Sequence, residues 1–134
     1  MIFSAKDRVE NVRQKAQGGE GEIRGRHPFG PDKRPEGTVF KMIGEMTLAA
    51  GASIGFHVHK EDEEIYIINQ GRGLYTRRDG QAAEVGPGDV TLTRMGEGHG
   101  LANIGPEPLL FTAVIAAPAA PDSTAASGPA GRKS

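Results

Sequence analysis

Two histidines and a glutamate have the residue types and the spacing of part of a metal site. His57 and His59 are two residues apart, and Glu64 follows five residues after His59. If residues 53–59 form a β-strand, side chains alternate between its two faces, so both imidazoles lie on one face. A second apolar run begins at Glu64 and can bring a carboxylate back beside them. The same alternation predicts three apolar side chains on the opposite face of the first strand, namely Ile54, Phe56 and Val58.

A third histidine, His99, lies at the start of another short predicted strand. The chain has only four histidines, and three of them fall in these two segments. Neutral imidazoles together with a carboxylate suit a divalent transition-metal ion. Glu63 is the neighbouring alternative to Glu64, but strand alternation from Tyr66 and Ile68 favours Glu64. The competing interpretation is that these residues are polar groups of a metal-free interior.

These residues also form a gapped motif, and through it the chain resembles the cupin family. The first cupin motif is Gly, five residues, His-x-His, three or four residues, Glu, six residues, Gly. The sequence matches every position of it, with four residues between the second histidine and the glutamate. The matching residues are Gly51, His57, His59, Glu64 and Gly71.

The second cupin motif is Gly, five residues, Pro-x-Gly, two residues, His, three residues, Asn. Gly88, Gly96, His99 and Asn103 match it, whereas Arg94 occupies the proline position. The resemblance implies an all-β fold, the double-stranded β-helix or jelly-roll cupin barrel. It also implies that His57, His59, Glu64 and His99 bind one metal ion.

Three imidazoles and one carboxylate leave about two open positions on an octahedral ion, which suits a catalytic rather than a closed structural site. Manganese, iron, nickel, cobalt, copper and zinc all fit these donors, with manganese or iron favoured. The ion can polarise a carbonyl or carboxylate, or activate water.

Three further residues are candidates for catalysis. Tyr66 lies on the Glu64 face and is a possible proton donor, although a packed core tyrosine is the competing interpretation. Glu97 lies in the loop before His99, and Arg94 can bind an anionic substrate through two hydrogen bonds. Asn103 shares the face of His99 and either hydrogen-bonds near the site or fixes the next turn.

Composition excludes several functional classes. Sixteen basic and seventeen acidic residues give a net charge of −1, without the basic excess of a nucleic-acid-binding surface. There is no cysteine, so a disulfide framework and a thiolate metal site are excluded. No apolar run is long enough to span a bilayer, and charges interrupt the N-terminus where a signal peptide is apolar. We therefore expect a cytoplasmic protein without membrane or nucleic-acid partners.

The remaining pattern is of short strands separated by turns, as in a β-sandwich or barrel. Twenty glycines and nine prolines support it. The barrel is predicted over residues 37–116, with a disordered tail at 117–134. Its strands are predicted at 38–48, 53–59, 64–69, 74–78, 82–85, 90–93, 100–104 and 109–116.

Residues 1–36 allow two interpretations. Val9, Val12 and Ala16 lie on one face of a possible capped helix beginning at Ser4. Alternatively, the segment is an arm with a strand near residues 22–26, packed on the barrel or exchanged with a partner subunit. His27 falls in a predicted loop, 27–37, and is expected to be solvated unless the arm folds over the barrel mouth and brings it to the substrate.

The resemblance implies a small metal-dependent enzyme acting on a carboxylate or sugar-like molecule, with a carboxylate ranked first. Isomerisation, decarboxylation or another lyase reaction, and dioxygenation all remain open. The alternative is a non-catalytic metal-containing module that binds a small ligand or regulates a partner. We expect a homodimer, because apolar edge strands of a small sandwich need cover.

Overall fold

A computed structural model describes residues 1–118 and consists almost entirely of antiparallel strands. Two short 3₁₀ turns, Ala5–Asp7 and Ala16–Gly18, flank the first strand. The strands are β1 Val9–Gln14, β2 Glu22–His27, β3 Phe40–Leu48, β4 Ser53–Val58, β5 Glu63–Gln70, β6 Gly73–Thr76, β7 Ala82–Val85, β8 Val90–Thr93, β9 Gly98–Asn103 and β10 Leu109–Ala116.

The strands form two sheets, one of six strands in the order β1-β2-β3-β10-β5-β8 and one of four in the order β4-β9-β6-β7. Non-sequential neighbours such as β3 and β10 show that distant parts of the chain are rolled together, as in a jelly roll. The predicted all-β double-stranded β-helix is therefore confirmed. The predicted strands between residues 38 and 116 are all present, with ends shifted by at most two residues.

The register of the six-stranded sheet explains why one end of the interior is filled and the other is open. At the closed end, Ile23 pairs with Leu48 and Leu48 with Leu109, and all three side chains are buried. Nearer the open end, one pair of inward positions on β3 and β10 carries the small residues Gly44 and Ala113, which lie opposite each other. Small side chains here leave the interior unfilled, so a cavity remains inside the sheets.

A β-bulge in β4 changes the predicted orientation of Ile54. The pairing of β4 with β9 goes from Ile54 opposite Leu101 to His57 opposite His99, with an extra residue on β4. The bulge breaks strict alternation, so Ile54 and His57 both face inward. The expectation that Ile54 lies opposite His57 was therefore wrong, because alternation holds only in a regular strand. Phe56 points outward as predicted and is half exposed.

The N-terminal segment forms two strands of the six-stranded sheet, β1 and β2. Residues 9–14 pair with β2, and β2 pairs with β3, so the helical interpretation is wrong. Its apolar residues cannot support a helix alone, whereas the edge of the sheet supplies backbone partners. His27 ends β2 rather than lying in a solvated loop, and it is only 7% exposed. Exchange of this segment with a partner subunit stays a prediction.

Ala117 extends the pairing of β10, since its amide donates to the Val39 carbonyl oxygen. The rest of the predicted disordered tail, from residue 119 onward, lies outside the described residues. Within residues 1–118 no helix is long and apolar enough to cross a membrane.

Gly55 lies within the bulge of β4 and packs closely against the second 3₁₀ turn, Ala16–Gly18. A Cβ at Gly55 would overlap the carbonyl oxygen of Gln17. We predict that Gly55→Ala lowers the free energy of unfolding by about 1–3 kcal/mol, the usual cost of overpacking. Chemical denaturation measures it. Gly30→Ala is the control, since its Cβ would meet nothing closer than 3.9 Å; equal effects of both changes would contradict the packing explanation.

Candidate metal centre

The four predicted ligands converge at the open end of the interior. His57 comes from β4, His59 from the loop after it, Glu64 from β5 and His99 from β9. One nitrogen or oxygen atom from each lies within 4.8 Å of the others. Glu64 is 6% exposed and lies on the inward face of β5, whereas Glu63 is on the outward face. The structure therefore brings together the group that the spacing predicted.

Each imidazole is held through its outer nitrogen, Nδ1, by a different partner. The partners are the Gly55 carbonyl oxygen for His57 at 2.8 Å, the Asp62 carboxylate for His59 at 2.6 Å and the Thr93 hydroxyl for His99 at 2.8 Å. A carbonyl oxygen and a carboxylate only accept hydrogen bonds, so Nδ1 of His57 and of His59 carries the proton. Such partners fix the tautomer and the orientation of a metal-binding histidine. In the neutral rings of His57 and His59 the lone pair is then on Nε2, whereas the Thr93 hydroxyl can donate to or accept from Nδ1 of His99.

The distances among the inner atoms fit a metal ion. Nε2 of His59 lies 3.1 Å from Nε2 of His99, and Oε1 of Glu64 lies 3.0 and 3.2 Å from these two nitrogens. Neighbouring ligands on an octahedral ion with bonds of about 2.1 Å are about 3.0 Å apart. Lone pairs this close repel unless a cation or a proton lies between them. The donor set therefore fits one divalent ion, whose identity these atoms leave open.

In the absence of metal, the pKa shifts of His57, His59 and Glu64 are those expected of groups that surround one cation. The hydrogen bond to Glu64 raises the pKa of His59, so a proton can take the place of the metal. Burial lowers the pKa of His57 and keeps its imidazole neutral. Burial alone would raise the pKa of Glu64, but hydrogen bonds with His59 and His99 outweigh it and lower the pKa. The carboxylate therefore stays ionised and adds the negative charge that attracts a cation.

The centre opens into a cavity of about 1080 Å³. Four basic residues line this cavity: Arg13, Arg34, Lys41 and Lys60. Three acidic residues also line it: Asp32, Glu61 and Glu64. Its walls are otherwise largely apolar, with Met42, Met46, Ile54, Phe111 and Ile115. The cavity therefore offers metal-bound positions, positive charge and apolar surface to one ligand.

Tyr66 lies between the metal centre and the core. Its hydroxyl is 3.4 Å from Nε2 of His99, and its ring stacks on that imidazole at 4.8 Å. Burial raises the pKa of Tyr66 well above its usual value, so the hydroxyl keeps its proton. Tyr66 also lines the cavity, which leaves its predicted role as a proton donor geometrically open. The nearby charge of Arg13 acts in the opposite direction on this pKa.

Arg94 and Glu97 lie together on the loop before His99 and do not line this cavity. The Arg94 guanidinium donates to the Glu97 carboxylate at 2.8 Å, and the Glu97 carboxylate also accepts from the Arg94 amide. The hydrogen bond from the Arg94 side chain is the main reason that the pKa of Glu97 falls to about 2. The pair thus closes the turn that leads into His99, and its catalytic role stays a prediction.

Asn103 fixes turns at the closed end of the sandwich. Its amide donates to the carbonyl oxygens of Leu48, Ala49 and Glu107, and its own oxygen accepts from the Gly105 amide. Of its two predicted roles, the structure supports turn fixation.

Two residues of the site, Asp62 and Arg13, were missed from the sequence, whereas His27 was considered only for an arm that folds over the barrel mouth. Asp62 was grouped with a solvated acidic run, yet it is buried and bridges His59 and Lys41. An acidic residue three positions after a ligand histidine was its only sequence signal. Arg13 and His27 line the cavity because β1 and β2 cover it, and Arg13 was missed because residues 9–14 were not predicted to form a strand.

Comparison with known proteins agrees with this geometry. The family model described as a cupin domain matches residues 44–115. A curated protein of Thermotoga maritima named "Oxalate-binding protein" is 34% identical over 109 residues, which cover 81% of this chain and 84% of that protein.

Two solved structures extend the likeness to the fold. A crystal structure from Thermotoga maritima, described as a predicted oxalate decarboxylase, has a TM-score of 0.77 and 29% identity. The match covers 87% of this chain and 99% of that one. A Klebsiella pneumoniae protein with a double-stranded β-helix domain has a TM-score of 0.57 and 26% identity, with 63% and 73% of the two chains covered.

Asp62 tests the role of the outer hydrogen bonds. We predict that Asp62→Asn weakens metal binding about 10–100-fold, because a neutral amide oxygen accepts the hydrogen bond from His59 more weakly than the carboxylate and no longer increases the basicity of the imidazole. Competition with a chromophoric chelator measures the affinity. Asp7→Asn makes the same chemical change at an exposed position and should leave the affinity unchanged. Unaltered metal affinity in folded Asp62→Asn protein would show that this contact does not support the site.

Proposed function

The chain belongs to the cupin family, and we propose that it is a metal-dependent enzyme acting on a small carboxylate bound at the His57, His59, Glu64 and His99 centre. The observation that carries the proposal is the convergence of three imidazoles and a carboxylate at the wall of an open cavity. When bound, the metal supplies Lewis acidity toward a carboxylate or carbonyl oxygen. Manganese or iron is the proposed ion.

The charge of the cavity supports a carboxylate over a neutral sugar. Among the described residues, Arg13 makes no ion pair, so its charge is available to an anionic ligand. Lys41 is instead bound to Asp62 at 2.9 Å. The oxalate in the names of both Thermotoga maritima relatives is also a carboxylate.

Tyr66 is the group on this chain that suits proton donation to such a ligand. Its hydroxyl lies beside the predicted metal ligands and stays protonated because it is buried. Decarboxylation requires a proton at the carbon that loses carbon dioxide, and a hydroxyl within hydrogen-bond reach can deliver it. Among the predicted reactions we therefore place decarboxylation first.

A second function is binding without turnover. The relative named "Oxalate-binding protein" favours this alternative. The same centre would then hold the carboxylate through the metal and Arg13, with Tyr66 contributing only a hydrogen bond. The two functions differ in whether the bound carboxylate changes chemically.

We further propose a homodimer formed through the outer face of β5 and β8. Ile65 lies opposite Leu92 and Ile67 opposite Val90, and these four side chains are 37–60% exposed. The patch carries no charge and continues onto Val114 of β10. A second copy can place the same patch against it, as in a two-fold symmetric interface.

Turnover decides between the two functions. We expect manganese- or iron-loaded protein to bind oxalate and to release carbon dioxide from a panel of ¹³C-labelled carboxylates, as followed by ¹³C NMR. Tyr66→Phe should keep binding, measured calorimetrically, and lose most turnover, about 10²-fold or more for a positioned proton donor. Saturable, metal-dependent binding with no chemical change would select the binding function. Absence of both would overturn the proposal.

Light scattering during size exclusion tests the dimer. We expect the mass of two chains for the wild type and of one chain for Leu92→Glu, because a buried charge in the interface is unfavourable. Val12→Glu, on the exposed outer face of β1, is the control. Dissociation by Val12→Glu alone would assign the contact to the N-terminal segment, and a monomeric wild type at all concentrations would contradict the dimer.

A further inference from the structure

His27, the fourth histidine, lies on the cavity wall and has no part in the metal group. Arg26 pairs with Glu45, so the next residue on β2 comes opposite Gly44. Gly44 pairs with Ala113, and Ala113 pairs with Tyr66. A row across four neighbouring strands therefore has a histidine at one end, a tyrosine at the other and two small residues between them. At about 4.8 Å per strand, its ends are about 14 Å apart along the sheet.

Two glycines make the niche that holds the imidazole. A Cβ at Gly44 would lie 2.7 Å from Cε1 of His27, and a Cβ at Gly25 would lie 2.5 Å from its Nε2. Any larger residue at either position would displace the ring. The niche buries His27 to 7% exposure while leaving it on the wall of the cavity.

The outer nitrogen of His27 fixes its tautomer. Nδ1 lies 2.9 Å from the carbonyl oxygen of Ile43, which only accepts hydrogen bonds, so Nδ1 donates. In the neutral ring Nε2 then carries the lone pair. Throughout residues 1–118 no group forms a hydrogen bond with this Nε2. This Nε2 is not among the buried side-chain atoms that lack a partner, so it is accessible from the cavity. A hydrogen-bond donor that enters the cavity can therefore reach it.

The cavity is also large for the ligand named in the relatives. Ligand pockets typically have volumes of about 300–1000 Å³, and this one has about 1080 Å³. Oxalate has only two carbons, so it cannot contact the metal group and the far end of this row together. Apolar wall lies between the two ends, with Met46 and Phe111 on neighbouring strands.

We propose that His27 is a specificity-determining residue whose Nε2 accepts a hydrogen bond from a hydroxyl or protonated carboxyl group at the end of the ligand remote from the metal. This inference rests on the proposed binding of a carboxylate at the metal centre and names its ligand class. The ligand is a carboxylate longer than oxalate, with an apolar middle and a distal hydrogen-bond donor. Asn11, whose side-chain oxygen also lies over Gly25, is next to the distal subsite.

Matched pairs of acids test this assignment. Zinc-loaded protein is titrated calorimetrically with oxalate, with ω-hydroxy acids of three to six carbons, and with the same acids lacking the hydroxyl. In the wild type we expect the hydroxyl to improve affinity about 3- to 10-fold at the best chain length, as for one neutral hydrogen bond. His27→Phe, which keeps a ring without nitrogen, should abolish this advantage and leave oxalate binding unchanged.

A second measurement uses the wild type, so that the inference is tested even if the His27→Phe variant does not fold. With ¹⁵N-labelled histidine, Nε2 of His27 in zinc-loaded wild type should shift when the hydroxy acid binds and stay unchanged with its deoxy partner. Oxalate binding with no hydroxyl advantage, or with an advantage that persists in folded His27→Phe, overturns this inference alone. An unshifted His27 resonance does the same. Failure of every acid, oxalate included, overturns the proposed function and this inference with it.

Discussion

The constraint on which the site depends is the repulsion among lone pairs that are held close together away from water. Two imidazole nitrogens and a carboxylate oxygen lie 3.0–3.2 Å from one another. Burial removes the water that would separate them, and the outer hydrogen bonds stop the rings from turning away. Only a proton or a metal ion relieves such a contact. Without a cation, this cluster of donor atoms therefore destabilises the fold. Packing in the rest of the protein compensates for that cost.

The interior has a closed end and an open end, and the packing of the closed end supplies that compensating stability. The closed end is filled by aliphatic and aromatic side chains such as Leu48, Leu109 and Phe111, which are 1% exposed or less. The open end has glycine and alanine at the matching positions of β3 and β10, so the sheets stay paired while the space between them remains free. One continuous set of backbone hydrogen bonds thus supports both a packed core and a ligand cavity.

The N-terminal strands and the cupin motifs contribute different residues to the site. The motifs supply the candidate metal donors, whereas β1 and β2 supply Arg13 and His27 to the cavity wall. These residues lie outside the segment that the cupin model matches, residues 44–115. Under the proposed function, the metal donors and these two residues of the cavity wall belong to separate parts of the chain that meet across the cavity.

The sequence by itself determined the fold class, most strand positions and the metal group, because these follow from local periodicity and from two gapped motifs. His57, His59, Glu64 and His99 are recognisable by residue type and spacing alone. The orientation of Ile54, the strand at residues 9–14 and the burial of Asp62 and His27 were decided only by the tertiary structure. These features depend on contacts between residues far apart in the chain: a bulge in β4, the pairing of β1 at the edge of the sheet and the niche between two glycines that holds His27. Local sequence patterns do not predict such contacts.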